Sequence, residues 1–223
     1  MKRTKLINRK LPNYTRGEEI MNMITHIVGG ALGIIILLCC TLKAIKSGSV
    51  ITILGAVLYG VSMVTLYTMS SIYHGLHVGT GKKVLQVIDH CTIYFLIAGT
   101  YTPIILTAFL PRYPVIGWAL LAFQLGLGIL ATVLTAIDLN KFKVFSMICY
   151  IFMGWSIIFF TTQALEVLSK DGFMLILWGG IAYTVGAVLF GIGAKVHWMH
   201  AIFHIFVVLG SVMQFLGIYL YVL

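Results

Sequence analysis

Residues 50–73 read VITILGAVLYGVSMVTLYTMSSIY, a run without a single charged side chain. A bilayer core about 30 Å thick is crossed by roughly 20 apolar residues in an α-helix, so this run is long enough to span it. Backbone polar groups inside lipid must be paired within the segment, which favours a helix. Strands of a membrane barrel would be about 10 residues long with alternating polarity. The run lacks that alternation and therefore predicts a transmembrane helix.

Similar apolar runs lie on both sides of this stretch and fill almost the whole chain. Of the 223 residues, 60% are hydrophobic and only 9% are charged, whereas a soluble domain carries about 25% charged residues. The sequence therefore predicts an all-α membrane protein, with a basic tail over residues 1–20 and a seven-helix transmembrane domain over residues 21–223. The spans are predicted near 24–42, 50–73, 86–110, 115–136, 144–165, 173–194 and 198–222.

Lysine and arginine are distributed unevenly between alternate connecting segments. Cytoplasmic segments of membrane proteins are enriched in these residues, so we place the N-terminus in the cytoplasm and, after seven spans, the C-terminus outside. The tail has no short apolar stretch followed by a cleavage site, so we expect no cleaved signal peptide. The outside loops then hold only Lys43, Lys46, Arg112 and Lys170, and the cytoplasmic side holds Lys2, Arg3, Lys5, Arg9, Lys10, Arg16, Lys82, Lys83, Lys141, Lys143 and Lys195.

The formal net charge of the chain is +9. In a soluble protein such an excess is typical of nucleic-acid binding. Here the basic residues lie in the tail and loops, and neither a Gly-rich phosphate loop nor a basic-aromatic motif is present. We therefore expect membrane lipids as partners, through their anionic headgroups, and no nucleic acid. The sequence does not indicate the oligomeric state.

Glycine is abundant, with 23 residues. Gly29 and Gly33 form a small-xxx-small pair on the first span. Such pairs let two helix backbones approach closely, so we expect the first span to pack tightly on a neighbour.

Polar and ionisable side chains at the ends of some spans are costly in lipid, and each is a candidate functional residue. The predicted topology brings all of them to one depth, near the inner leaflet, and the outer half of the bundle has no comparable set. They are Glu19, Asn22 and His26 on the first span, Ser70 and His74 on the second, Asp89 and His90 on the third, and His200 and His204 on the seventh.

His200 and His204 are four residues apart, so both lie on one helical face and can hold one metal ion. His74 would supply a third imidazole from a facing helix. Three histidines with an open fourth position are the ligand set of a catalytic zinc site. Asp89 would lie nearby, holding a water or orienting a ligand. The alternative role for each of these histidines is an ordinary hydrogen bond between helices.

Glu19, Asn22 and His26 are spaced for one helical stripe. They are candidates either to support the metal ligands or to cap and anchor the first helix at the interface. His77, His90 and His197 lie close to the predicted water boundary, and we interpret them as ordinary interfacial residues.

The combination of these motifs resembles a known family. The motifs are Glu18-Glu19-x-x-Asn22-x-x-Thr25-His26, Ser70-Ser71-Ile72-Tyr73-His74, Asp89-His90 running on to Ala98-Gly99-Thr100-Tyr101-Thr102-Pro103, and His200-x-x-x-His204. Together they resemble the bacterial hemolysin III family, within the progestin and adipoQ receptor superfamily that includes the adiponectin receptors. The resemblance covers nearly the whole chain. It implies a multi-pass protein of the bacterial plasma membrane with seven helices and a cytoplasmic N-terminus.

The resemblance also implies a site. Zn²⁺ would be held near the inner leaflet by His74, His200 and His204, Asp89 would contact the ion through water, and Ser70 would be a neighbour. Alkaline ceramidases have a similar set of Ser, Asp and three His, which implies hydrolysis of an amide in lipid. Adiponectin-like ligand binding is not expected, because the chain lacks the longer N-terminal domain of the animal receptors.

Three functional hypotheses remain open from the sequence. The first is a zinc-dependent membrane hydrolase or membrane-homeostasis factor, with Asp89 and Ser70 as catalytic residues. The second is a pore-forming hemolysin or cytolysin, as the family name asserts; a pore would need polar residues along a whole lumen, whereas these cluster at one depth. The third is a receptor or sensor in which zinc is structural. The same residues serve the first and third hypotheses.

Overall fold

The computed structural model describes residues 4–223, and this part of the chain is helical without any β-strand. The prediction of an all-α protein is confirmed. Short 3-10 turns occupy Leu6–Asn8 and Ser156–Phe160, and the helix Thr80–Pro103 continues through a wider π-helical segment, Ile104–Phe109, into Leu110–Arg112. The main helices are α1 Arg16–Lys46, α2 Val50–Gly75, α3 Thr80–Pro103, α4 Pro114–Ile137, α5 Lys143–Gly154, α6 Thr161–Ile192 and α7 Met199–Tyr221.

Six helical stretches within residues 4–223 are long and apolar enough to cross a bilayer. One of them, Lys143–Ile192, contains α5, the second 3-10 turn and α6, and is 50 residues long. A straight helix of that length would measure about 75 Å, more than twice the thickness of a bilayer core. The stretch is broken at Ser169, where φ is 60° and ψ is 169°, a conformation that only glycine adopts without strain.

The hairpin formed by α1 and α2 shows how the sequence determines where helices begin and end. Thr15 and Glu18 form a reciprocal cap at the start of α1, in which each side chain accepts a backbone N–H of the other. The helix ends before Gly48, which has a φ of +68° and so turns the chain at little steric cost. Ser49 then caps α2 by accepting the N–H of Thr52. α1 therefore begins earlier in the chain than the predicted span near 24–42.

Glycines bring α1 and α2 into close contact. A Cβ at Gly29 would lie 2.3 Å from Cε1 of Tyr67, and one at Gly60 would lie 2.4 Å from Cα of Leu37. At Gly33 it would lie 3.1 Å from the backbone N of Val64. The expected tight packing at Gly29 and Gly33 is thus confirmed, and the neighbour is α2.

Apolar side chains cover the outside of the bundle. Ile34 is 52% exposed, Ile129 64% and Trp178 52%, whereas large side chains such as Tyr59 and Tyr67 are fully buried. A soluble protein rarely exposes so much contiguous apolar surface. The exposed apolar belt and the buried polar interior fit a protein that faces lipid.

The packing order of the helices brings four helix ends together. α1 packs against both α2 and α7, and α2 packs against α3. The C-terminal end of α2 therefore meets the N-terminal ends of α1, α3 and α7. The candidate residues predicted to share one depth lie at this end of the bundle.

Candidate metal centre

Three histidine side chains converge at the meeting point of α2 and α7. His74 comes from the last turn of α2, and His200 and His204 from the first turns of α7. One ring nitrogen of each lies within 4.8 Å of the others, and the exposed fractions of the three residues are 3%, 7% and 1%. The Nε2 atoms of His200 and His204 are 3.1 Å apart. Nitrogen ligands of a tetrahedral zinc ion are separated by about 3.3–3.4 Å, given Zn–N distances near 2.0–2.1 Å.

The outer nitrogens of two of these rings are held by acceptors on α1. Nδ1 of His74 lies 2.7 Å from Oε2 of Glu19, and Nδ1 of His204 lies 3.2 Å from the backbone oxygen of Asn22. Because a carboxylate and a carbonyl only accept hydrogen bonds, each Nδ1 carries the hydrogen. In the neutral form of each ring, Nε2 then has the lone pair that a metal ligand requires.

The Glu19 carboxylate is itself fixed. Nζ of Lys82, at the start of α3, lies 2.8 Å from its other oxygen and also donates to the backbone oxygen of Leu76 at 3.0 Å. Lys82 is buried, with 3% of its side chain exposed. The linked contacts from Lys82 to Glu19 and from Glu19 to His74 thus orient the His74 ring from outside the cluster.

The residues present fit a metal cation. Nε2 of His74 is buried and has no hydrogen-bond partner in the described part of the chain. A buried polar atom without a partner is costly and calls for an explanation. Three buried imidazoles, each with a ring nitrogen within 4.8 Å of the others, supply it, since this donor set suits Zn²⁺ and other divalent transition metals. The group His74, His200 and His204 can bind a metal ion.

The remaining α1 candidates pack around this group. The ring of His26 stacks on that of His204, with centroids 3.6 Å apart and planes 12° apart. The side-chain amide of Asn22 lies against His74, with Nδ2 3.3 Å from Nδ1. The structure thus brings Glu19, Asn22 and His26 into contact with the histidine cluster, and the cap of α1 is formed by Thr15 and Glu18 instead.

Ser70 and Asp89 reach the cluster through a cavity. A mainly apolar cavity of about 160 Å³ runs between the helices, and Ser70, Asp89, His200 and His204 all line it at one end. Apolar side chains such as Ile93, Ile157 and Phe173 line the rest. For scale, an engineered apolar cavity of about 150 Å³ takes up benzene. A hydrocarbon group can therefore occupy the space beside the histidines.

A second, polar cavity of about 420 Å³ lies at the same end of the bundle. Its walls come from the N-terminal segment, the start of α5 and the segment between α6 and α7, through residues that include Lys10, Lys143 and Lys195. Asp89, His90, Phe190 and His200 line both cavities. The histidine cluster thus lies where an apolar space and a polar space adjoin.

Several residues of this region are not apparent from the sequence patterns. The ring of Tyr14 stacks on that of His200 with centroids 4.9 Å apart, and burial raises the pKa of its hydroxyl. Lys82 appears in the sequence as a cytoplasmic loop residue, yet it is buried against Glu19. Of the three histidines interpreted as interfacial, His77 is exposed, Nδ1 of His197 lies 2.9 Å from Glu18, and His90 lines both cavities.

Of the contacts that the sequence analysis did not predict, only the cap at the start of α1 has a recognisable sequence pattern. Thr15 and Glu18 match the pattern of a capping box three residues apart, which identifies Thr15 as the N-cap and Glu18 as its reciprocal partner. Nothing in the local sequence links Tyr14 to His200 or Lys82 to Glu19, because these contacts depend on how distant helices pack.

Fold and site together define a polytopic helical membrane protein with a buried histidine group at one end of its bundle. The model of the Haemolysin-III related family matches residues 14–215, and the chain belongs to this family. The family resemblance noted in the sequence is confirmed, and the chain is a multi-pass protein of the cell membrane.

Relatives in two bacteria align over nearly the full chain. Hemolysin-3 of Bacillus cereus is 41% identical over 206 residues, covering 92% of each chain. The Hemolysin-3 homolog of Bacillus subtilis (strain 168) is 36% identical over 208 residues, covering 93% of this chain and 96% of that one. A more distant relative is the human monocyte to macrophage differentiation factor, 28% identical over 175 residues, or 74% of this chain and 68% of that one.

Proposed function

We propose that this protein is a zinc-dependent membrane hydrolase that acts on the amide bond of a lipid. The observation that carries the proposal is the buried, unpartnered Nε2 of His74, on a ring that has one nitrogen within 4.8 Å of a ring nitrogen of His200 and of His204. His200 and His204 also line the apolar cavity. His74, His200 and His204 would hold Zn²⁺. When bound, zinc supplies Lewis acidity, which makes water nucleophilic near neutral pH.

The other candidate residues supply proton transfer and charge stabilisation. Asp89 and His200 line the same cavity. The Asp89 carboxylate would take a proton from the attacking water and pass it to the amide nitrogen, which leaves as an amine when the C–N bond breaks. The hydroxyl of Ser70 lines the same end of the cavity and donates a hydrogen bond to the charge that develops on the amide oxygen. The apolar walls hold the hydrocarbon chain of the lipid and keep bulk water away.

The proposed topology has seven crossings, with the N-terminus in the cytoplasm and residues 1–20 as a tail on that side. It is supported by the path of the stretch Lys143–Ile192. Lys143 and Phe190, near its two ends, line the same polar cavity, whereas Glu166, near its middle, pairs with Arg112 beyond the far end of α3. The stretch therefore runs away from the site and back, as two crossings joined at Ser169. The basic segments flank the site, which supports a cytoplasmic location for it.

Metal analysis of the purified full-length protein tests the assigned ligands. We expect His74→Ala, His200→Ala and His204→Ala each to lose bound zinc, because two imidazoles cannot hold the ion as three do. His77→Ala, at an exposed histidine, is the matched control and should keep the wild-type zinc content. Unchanged zinc in all three ligand variants would rule out this site.

Lipid turnover separates a catalytic zinc from a structural one. Zinc-loaded protein is assayed for release of fatty acid from N-acyl lipids, together with Asp89→Asn and, as control, the exposed Asp171→Asn. We expect Asp89→Asn to keep its zinc and lose turnover by about 10²-fold or more, with Asp171→Asn unaffected. If the wild-type protein unfolds on chelation but releases no fatty acid, zinc is structural and the hydrolase proposal fails.

A further inference from the structure

The polar cavity carries an excess of unpaired positive charge. Lys10, Lys143 and Lys195 line it from three different segments, and none of them forms an ion pair with an acidic side chain within residues 4–223. The acidic residues in the same lining are Glu18 and Asp89. The cavity therefore attracts an anion.

Glu18 does not compensate these lysines. Its carboxylate accepts the backbone N–H of Trp198 at 2.6 Å and that of Thr15 at 2.8 Å, and it lies 2.9 Å from Nδ1 of His197. Both carboxylate oxygens of Glu18 take part in these contacts, so they do not pair with the three lysines. Asp89 lies deeper, at the junction with the apolar cavity.

The two cavities together match the two parts of an amphiphile, one apolar and one charged. The apolar cavity suits a hydrocarbon chain, the lysine-lined cavity suits an anionic group, and the histidine cluster adjoins both through His200. We infer that the protein binds one amphiphile with an anionic, phosphate-type headgroup in the lysine-lined cavity and its acyl chain in the apolar cavity. The inference rests on the proposed function only in placing the cleaved bond at the junction; binding itself requires no turnover.

Lysine is suited to this role because its ammonium group binds phosphate as a mobile point charge. Each basic side chain near an anionic headgroup contributes enough for a several-fold change in affinity. Removing three such charges should therefore weaken binding of the anionic amphiphile by at least about tenfold, while leaving a neutral amphiphile with the same chain unaffected.

The test compares two lipids that differ only in the phosphate. Dodecanoyl lysophosphatidic acid and 1-dodecanoylglycerol are titrated against the full-length protein in a neutral detergent, and the bound fractions are read by native mass spectrometry. The cavity variant carries Lys10→Gln, Lys143→Gln and Lys195→Gln. The matched control carries Lys5→Gln, Arg16→Gln and Lys141→Gln, which remove the same charge from exposed residues that line neither cavity.

We expect the wild-type protein to prefer the phosphate lipid by at least about tenfold, the cavity variant to lose that preference and the control variant to keep it. Equal binding of the two lipids to the wild type, or an equal loss of preference in both variants, would overturn the inference.

Inorganic phosphate is the third ligand. If it displaces the phosphate lipid at equal concentration, the cavity takes free phosphate and the assignment to a lipid headgroup fails. A lysine-dependent preference without any turnover would leave the inference standing and remove the proposed function.

Discussion

The carboxylate of Glu19 lies between two basic groups, with Nδ1 of His74 at 2.7 Å and Nζ of Lys82 at 2.8 Å. Each oxygen has one partner, so the carboxylate cannot turn without breaking a contact. An ionised carboxylate is a stronger acceptor for the Nδ1 hydrogen of His74 than a neutral group would be. The position of the His74 ring is thus determined by a residue from another helix that does not itself join the cluster.

Glu19→Gln should weaken zinc binding by about 10- to 100-fold without abolishing it, because an amide orients the ring less well and no longer pairs with Lys82. Competition with a chelator of known affinity measures the change. Glu166→Gln removes a carboxylate from a surface pair with Arg112 and should leave the affinity unchanged. A wild-type affinity in Glu19→Gln would mean that this carboxylate does not support the metal ligand.

Asp138 fastens the N-terminal segment to the end of α4. Its carboxylate accepts the backbone N–H of Thr4 at 2.7 Å and that of Lys141 at 3.2 Å. These hydrogen bonds, chiefly the one from Thr4, lower the pKa of Asp138 below its ordinary value. A group whose pKa is lowered on folding stabilises the contact above its ordinary pKa of about 3.9, and the effect is lost as the pH falls through the lowered value.

We therefore expect the N-terminal segment to stay attached at pH 7, to loosen as the pH falls below about 4 and to be released as the pH falls through the lowered pKa of Asp138. Hydrogen exchange of the backbone amides of residues 4–8, corrected for the intrinsic rate at each pH, follows the release. Asp138→Ala should lack the protection at every pH, and Asp171→Ala, at an exposed position, should behave as wild type. Protection that does not change with pH in the wild type would contradict this role of Asp138.

At the residue scale the sequence predicted the histidine cluster and its candidate neighbours on α1, but not the contacts of Lys82 and Tyr14. The spacing of His200 and His204 and the shared depth of His74 follow from helix periodicity and from the order of the spans. The contacts of Lys82 with Glu19 and of Tyr14 with His200 depend on the relative rotation of separate helices. No local pattern encodes that rotation.

At the scale of helices, the close approach of α1 to α2 depends on glycines, which have no side chain to keep the two backbones apart. Gly60→Ala should destabilise the protein by about 1–3 kcal/mol, because its Cβ would lie 2.4 Å from Cα of Leu37 and the helices would have to separate. Thermal unfolding in detergent measures the loss. Gly126→Ala is the control, since nothing lies within 4 Å of its Cβ position and alanine is the better helix former. Equal stability of the two variants would contradict the close approach.

Hydropathy located the apolar stretches well and their interruptions less well. The sequence predicted a break from Glu166 to Gly172, whereas within α6 only Ser169 has a non-helical conformation. Charged residues there suggested a loop, but helical hydrogen bonding continues on both sides of one residue. The π-helical segment after Pro103 was also not predicted. Proline lacks the N–H that a regular helix would use, and a local widening of the helix leaves average hydropathy unchanged.

At the scale of the whole molecule, the number of crossings sets the side of the C-terminus. An odd number separates the two termini, whereas six crossings would return both to the same side. With the seven proposed crossings, residues after Leu223 lie outside the cytoplasm. Alkaline phosphatase, which is active only outside the cytoplasm, should then be active when fused after Leu223. A fluorescent protein fused there should be dark after export. The same reporters placed in the Asp138–Lys143 loop are the control and should behave in the opposite way. A cytoplasmic reporter signal after Leu223 would exclude seven crossings.

The order of the helices in the chain has a consequence for biosynthesis. The histidine group needs α1, α2 and α7, yet α7 is translated after all the others. While the ribosome is still making α4 to α6, the imidazole of His74 and the carbonyl of Asn22 have no partner from α7. The nascent bundle must tolerate these polar groups in or beside the translocon until Met199 and the residues after it emerge. A chain interrupted before Met199 would leave His74 without the two imidazoles of α7, whose ring nitrogens lie within 4.8 Å of its own in the folded bundle.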